Sequence, residues 1–143
     1  MIKKKISKIL VPLDGSENSV RGLETAITLA RNCGATITGF YSIYAPPHSE
    51  FKGIGSVGKA FNREIKKFMK EAKTMSAKNG IVFTDKIARG EIGYNIIKAS
   101  HGKAKYDMIV MGSRGRSNTK EIFFGSVSNY VIHTSKIPVV IVK

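Results

Sequence analysis

The chain has 143 residues, enough for one domain with a hydrophobic core. Its longest apolar runs are only a few residues, which argues against a transmembrane helix, and Asp14 follows the basic start Met1–Lys5 before any signal-peptide core develops. Lys and Arg exceed Asp and Glu by 14, which favours anionic partners without choosing among nucleotides, nucleic acid and acidic proteins; the single Cys33 excludes an internal disulfide and agrees with a soluble, cytoplasmic protein.

Ile6–Leu13 reads as a buried strand carrying Pro12 near its end, and Asp14-Gly15-Ser16 turns the chain into a helix that Ser16 caps. That helix runs to about Asn32, with Val20, Leu23, Ile27 and Ala30 on its apolar face and Gly34 as its stop. Ala35–Ile43 is a second strand. Tyr44–Gly58, rich in Pro, Gly and Ser, is expected to be a long connection. An amphipathic helix follows, with Phe61, Ile65, Phe68, Ala72 and Met75 toward the core and Lys59, Arg63, Lys66, Lys70 and Lys73 as a parallel basic stripe. Asn79-Gly80 ends it before a third strand, Ile81–Ala88. Ile92, Ile96 and Ala99 mark a third helix, Met108–Met111 a fourth strand, Gly125–Ser135 a fourth helix, and Pro138–Val142 a last strand. Strands alternating with helices imply one α/β domain, a doubly wound, mainly parallel sheet with helices on both faces. Ligands of such sheets bind beyond the carboxyl ends of the strands, where Asp14, Ser42 and Gly112 all fall.

The chemistry concentrates between Asp107 and Val131. An apolar strand empties into Gly112; Gly115 follows, and Gly125-Ser126 opens a helix after nine further residues. Glycines allow backbone N–H groups to approach an anion, and the first turn of a helix supplies unpaired donors at the positive end of its dipole. This pattern is that of a phosphate site.

With ILVPLDGS near the start, IVMGSRGRS and FGSV late, and IPVVIV at the end, the chain resembles the universal stress protein family over nearly its whole length. The spacing Gly112-x-x-Gly115-(nine residues)-Gly125-Ser126 matches that family's ATP-binding signature at each glycine and at the hydroxyl. The resemblance implies five strands ordered 3-2-1-4-5 and a nucleotide-responsive regulator of stress adaptation. It implies that Pro12, Asp14 and Ser42 surround the adenosine of ATP or another adenine nucleotide, and that Met111 and Gly112 border it. Gly115, Gly125, Ser126 and Val127 would offer N–H groups to phosphates, with Arg114, Arg116 and Ser128 nearby. Ser42 departs from the valine often found there, a change worth about 1 kcal/mol of lost apolar contact with the base. Mg²⁺ is expected to accompany ATP by screening its phosphates, without a protein metal ligand. The resemblance also implies a homodimer through Ile137–Val142, an apolar, β-prone edge of the kind that seeks a partner.

Plainer readings stand beside these. Glycines after a strand also serve turns, Ser126 also serves as a cap, and Asp14 also forms an Asx turn. Gly53–Ala60 contains G-x-G-x-x-G and nearly spells a P-loop, but Ala60 lacks the metal-binding hydroxyl and Pro46 and Pro47 separate the segment from its strand. His48, His101 and His133 lie far apart with no zinc spacing, and no general base stands beside the glycines. Any ATP hydrolysis is therefore expected to be slow, with no catalytic residue assigned. The rival function is a basic interaction module that docks acidic proteins or nucleic acid without a nucleotide. Nucleic acid is the less favoured partner, because the basic stripe lacks interleaved aromatics. An unidentified protein partner fits either reading.

Overall fold

The computed structural model describes residues 2, 5–45, 55–114 and 125–143. In chain order the elements are β1 (Lys8–Leu13), α1 (Glu17–Cys33), β2 (Thr36–Tyr44), α2 (Gly55–Lys78), β3 (Phe83–Gly90), α3 (Ile92–Ser100), β4 (Met108–Gly112), α4 (Ser126–Thr134) and β5 (Val139–Val142). All five strands are parallel and lie in the order β3-β2-β1-β4-β5. The doubly wound sheet expected from the alternating pattern is therefore present.

Alternation along the central strands divides the core. Ile9, Val11 and Leu13 of β1 face one side with Val110 of β4, where α1 and α2 cover them through Leu23, Ile27, Ile65 and Met69. Leu10, Ile109 and Met111 face the other side, against Ile96 and Ile97 of α3 and Val131 of α4. Burial on both faces removes the polar alternation of an exposed strand, which is why β1 reads KILVPL.

Local chemistry sets the ends of α1. Ser16 Oγ accepts the Ser19 N–H at 3.1 Å, and Gly34 leaves the helix at φ 69°, a left-handed position that glycine adopts without strain. A carboxylate then ties the sheet together across the chain. Asp107 Oδ2, ahead of β4, accepts the N–H groups of Ser7 and Lys8 at 2.7 and 3.0 Å, fixing the start of β1.

Two expectations for the second helix need correction. It begins at Gly55, so the connection after β2 ends earlier than Gly58. Its core line is Ile65, Met69, Ala72 and Ser76, all buried, whereas Phe61 is 37% exposed. A helix that returns across a sheet overhangs the carboxyl ends of the strands at its start, so Phe61 meets the rim rather than the strands. Ser76 enters the core because its hydroxyl donates to the Ala72 carbonyl one turn back, at 2.9 Å.

β2 and β3 approach closely at Gly39, where an added Cβ would stand 2.7 Å from Cε2 of Phe83. Gly39→Ala is expected to cost about 1–3 kcal/mol through overpacking. Urea denaturation of Gly39→Ala, Phe83→Leu and the double variant checks it: the double variant should be more stable than the sum of the two single losses predicts.

Candidate functional site

β1 and β2 stay in register to Leu13↔Tyr41, but β1 and β4 pair only at Ile9↔Met108 and Leu10↔Ile109. Beyond that point the two strands separate, and the helices after them go to opposite faces of the sheet. A crevice at this reversal is the expected ligand position of a doubly wound fold. A cavity of about 340 Å³ opens there, within the range of small-molecule pockets.

Three groups of residues line it. Pro12, Leu13 and Asp14 come from the end of β1, and Phe40 to Tyr44 from the end of β2. Met111, Gly112 and Arg114 follow from β4, with Gly125 to Ser128 at the start of α4. Phe61, Ile92 and Ile96 complete an apolar wall. All the candidate residues that fall within the described segments thus border one cavity: Pro12, Asp14, Ser42, Met111, Gly112, Arg114, Gly125, Ser126, Val127 and Ser128. Gly115 and Arg116 lie outside the described residues, as does the part of the P-loop-like segment before Gly55. Gly55 and Gly58 belong to the helix α2, not to a loop around an anion.

The polar groups do different things from one another. Gly125 caps α4 with φ −62° and ψ 163°, and the helix proper starts at Ser126. The N–H groups of Ser126, Val127 and Ser128 therefore fall in the first turn, where a helix offers them no carbonyl of its own. They carry the positive end of the α4 dipole at the cavity border. The Gly125 N–H, by contrast, donates to Ser113 O at 2.7 Å, and the following Asn129 N–H closes back on Gly125 O at 3.0 Å. The first-turn donors without a helical carbonyl are thus the three after Gly125, whereas the Gly125 N–H is engaged by Ser113. Ser128 Oγ sits 2.9 Å from Ser113 O and 3.0 Å from Gly125 O, sharing its proton between two carbonyls beneath the site. Its hydroxyl braces the turn.

Asp14 Oδ1 accepts the Ser16 N–H at 2.8 Å, so the carboxylate does form an Asx turn while bordering the cavity. The turn holds the carboxylate where the helix α1 begins, and Tyr41 donates its hydroxyl to the Asp14 carbonyl at 3.1 Å. Ser42 is buried, and its Oγ accepts from Asn95 Nδ2 at 2.9 Å. This bond links the polar tip of Ser42 to α3. Among the described residues no group of three His, Cys, Asp or Glu side chains is placed to hold a metal ion.

The apolar wall was not anticipated from the sequence. Phe61 looked like a core residue because its spacing fits the stripe of α2, and Ile92 and Ile96 served equally as core positions of α3. The useful signal lay in position: each stands near the junction of its helix with the carboxyl end of a strand.

The family model described as the universal stress protein family matches residues 5–143. Universal stress protein YxiE of Bacillus subtilis is 32% identical over 154 aligned positions, covering 96% of this chain and 99% of the relative. Among solved structures, MJ0577, a universal stress protein of Methanocaldococcus jannaschii, superposes with a TM-score of 0.85 at 29% identity, covering 98% of this chain and 97% of that one. A universal stress protein of Archaeoglobus fulgidus in complex with dAMP shares the fold at a TM-score of 0.73 and 22% identity, covering 96% and 98% of the two chains. With the family model spanning nearly every residue and the sheet order in agreement, the chain belongs to the universal stress protein family.

Proposed function

We propose that the chain binds an adenine nucleotide, ATP with Mg²⁺ in the first instance, and acts as a nucleotide-responsive regulator. One observation carries the reading: the N–H groups at the start of α4 and the apolar wall from β2, α2 and α3 border the same cavity. An anion and a flat apolar ring joined by a short linker match those two surfaces. The dAMP complex of the Archaeoglobus relative supports an adenine nucleotide as the ligand class.

In this arrangement the base lies toward Phe40, Ser42 and Ile92, with Pro12 and Met111 bordering it. Asp14 offers a carboxylate oxygen to a ribose hydroxyl or an exocyclic amine. The phosphates lie on Ser126, Val127 and Ser128, where backbone donors and the helix dipole act together. Arg114 stands at the same border and adds positive charge. Mg²⁺ would neutralise phosphate charge with water as its remaining ligands, as this ion prefers. No group placed to activate a water is assigned, so the reading is binding and slow turnover at most.

Binding is tested by calorimetric titration with ATP and Mg²⁺, with AMP in parallel. Tighter binding of ATP than of AMP at one site per chain is the expected result. Gly125 has a φ that any residue adopts, so Gly125→Val should fold; its side chain beside the phosphate donors should weaken ATP binding by at least tenfold. Unchanged affinity in that variant would remove α4 from the site. A basic-module reading draws on the exposure of Lys59, Arg63, Lys66, Lys70 and Lys73 along α2. It is favoured only if Lys66→Glu and Lys70→Glu abolish salt-sensitive partner binding while no nucleotide binds.

We also propose a homodimer through Ile137–Val142. Ile109 and Ser113 donate to the carbonyls of Pro138 and Val142. With a period of two, the N–H groups of Val139 and Ile141 then point to the outer edge of β5. Val139→Pro removes one outward donor at the first position of the strand, where proline is tolerated. Light scattering should report a dimer for the unmodified chain and a shift toward monomer for Val139→Pro.

A further inference from the structure

Asn18 stands in the first turn of α1, 8% exposed, and does not line the cavity. Its side chain nevertheless joins three separate pieces of chain. Oδ1 accepts the Arg114 N–H at 2.7 Å, and Nδ2 donates to Val142 O at 3.2 Å. Val142 O also accepts the Ser113 N–H at 2.8 Å, and Ser113 O in turn accepts from Gly125 N at 2.7 Å and Ser128 Oγ at 2.9 Å. A continuous set of hydrogen bonds therefore runs from α1 through Ser113 and Arg114 to the first turn of α4. Packing reinforces it, since a Cβ on Gly112 would stand 2.7 Å from the Asn18 carbonyl oxygen.

The chemistry of the group explains why an amide stands there. A single planar amide offers a donor and an acceptor side by side, and here each meets its complement: a backbone N–H at Oδ1 and a backbone carbonyl at Nδ2. Reversing the amide would place donor against donor and acceptor against acceptor. An aspartate keeps the acceptor and loses the donor. A leucine of similar size keeps neither, and leaves the Arg114 N–H to find another acceptor.

Resting on the nucleotide reading above, we infer that Asn18 is a positioning residue for phosphate recognition: its amide fixes Ser113 and Arg114 against the start of α4 without touching the nucleotide. The base side of the cavity is built from β1, β2, α2 and α3 with Met111 of β4 at its border, and none of the hydrogen bonds of this network runs to those lining residues. Loss of the amide should therefore penalise ligands in proportion to their phosphates, and leave the nucleoside portion nearly unaffected. A residue that merely holds the fold together would weaken both alike.

The experiment titrates the unmodified chain, Asn18→Ala and Asn18→Leu with ATP and with adenosine. The expected result is a tenfold or greater loss of ATP affinity with adenosine affinity kept within twofold. Arg114→Pro deletes the N–H that Asn18 accepts, and Arg114→Ala removes only the side chain; the proline variant should show the larger ATP loss. That pair also keeps the test decisive should the Asn18 variants fail to fold. Equal losses for ATP and adenosine, no loss for either, or equal behaviour of the two Arg114 variants would overturn the role of Asn18 while leaving nucleotide binding intact. If the unmodified chain binds neither ATP nor adenosine, the nucleotide reading falls, and the positioning role with it.

Discussion

The close approach of α1 to β4 governs this molecule. Gly22 faces the backbone of Met111 and Gly112, where an added Cβ would lie 3.0 Å from Gly112 N, and Gly112 in turn lies against Asn18. A helix can come this near to a strand only where both surfaces lack side chains, and the two glycines supply that gap. Ala26 and Ala30 continue the same row of small residues at intervals of four along α1, each fully buried. Because β1 and β4 run parallel, the turn at Asp14 and the exit after Gly112 leave the same end of the sheet, and the low seat of the helix holds them close together. The cavity opens beside them, where β1 and β4 stop pairing.

The polar and apolar halves of the cavity come from different levels of structure. The apolar wall is made of side chains, so it changes whenever Phe61, Ile92 or Ile96 changes. The side at the start of α4 is made of backbone, and its N–H groups persist through any substitution that leaves α4 in place. On the proposed reading, recognition of a phosphate would be a property of the backbone, whereas preference among bases would be a property of a few side chains. The Ser42–Asn95 hydrogen bond falls in the second category: it ties a polar residue of the cavity wall, Ser42, to α3 behind it. The bond gives the buried Ser42 hydroxyl a partner, which limits the cost of its burial.

Features encoded within a few residues were legible in the sequence. Ser16 as a cap and Gly34 as a stop depend only on local hydrogen bonding and φ, and the structure has both, whereas the fourth helix starts at Ser126 with Gly125, not Ser126, as its cap. Strand alternation gave the layer architecture, but the strand order was anticipated from the resemblance to a family, because spacing alone does not fix neighbours. The stripe of α2 was misjudged at Phe61, Met69 and Ser76, since a period of 3.6 leaves adjacent rows of a long helix nearly equivalent and the choice between them belongs to the sheet. Asn18 carried no signal at all. A polar residue in the first turn of a helix is ordinary, and its partners lie 96 and 124 residues away. The division of labour at α4 was likewise hidden, because the Gly125 N–H is engaged by Ser113, a partner outside the helix at the exit of β4.

The Asp107 carboxylate has a consequence for the order in which the fold assembles. The strand β1, at the centre of the sheet, is fixed at its start by a residue 100 positions later in the chain, and the carbonyl of Val142 completes the network around Asn18. Contacts of such separation close late, because the loop entropy must be overcome before the bond repays it. During synthesis the β1-α1-β2 segment can collapse on its own apolar face while its carboxyl ends still lack their second wall. A ligand that needs both walls has no affinity for that intermediate, so by mass action it stabilises only the finished sheet. On the proposed nucleotide reading, ligand concentration would bear on the final folding step alone and draw the completed chain away from partly folded species.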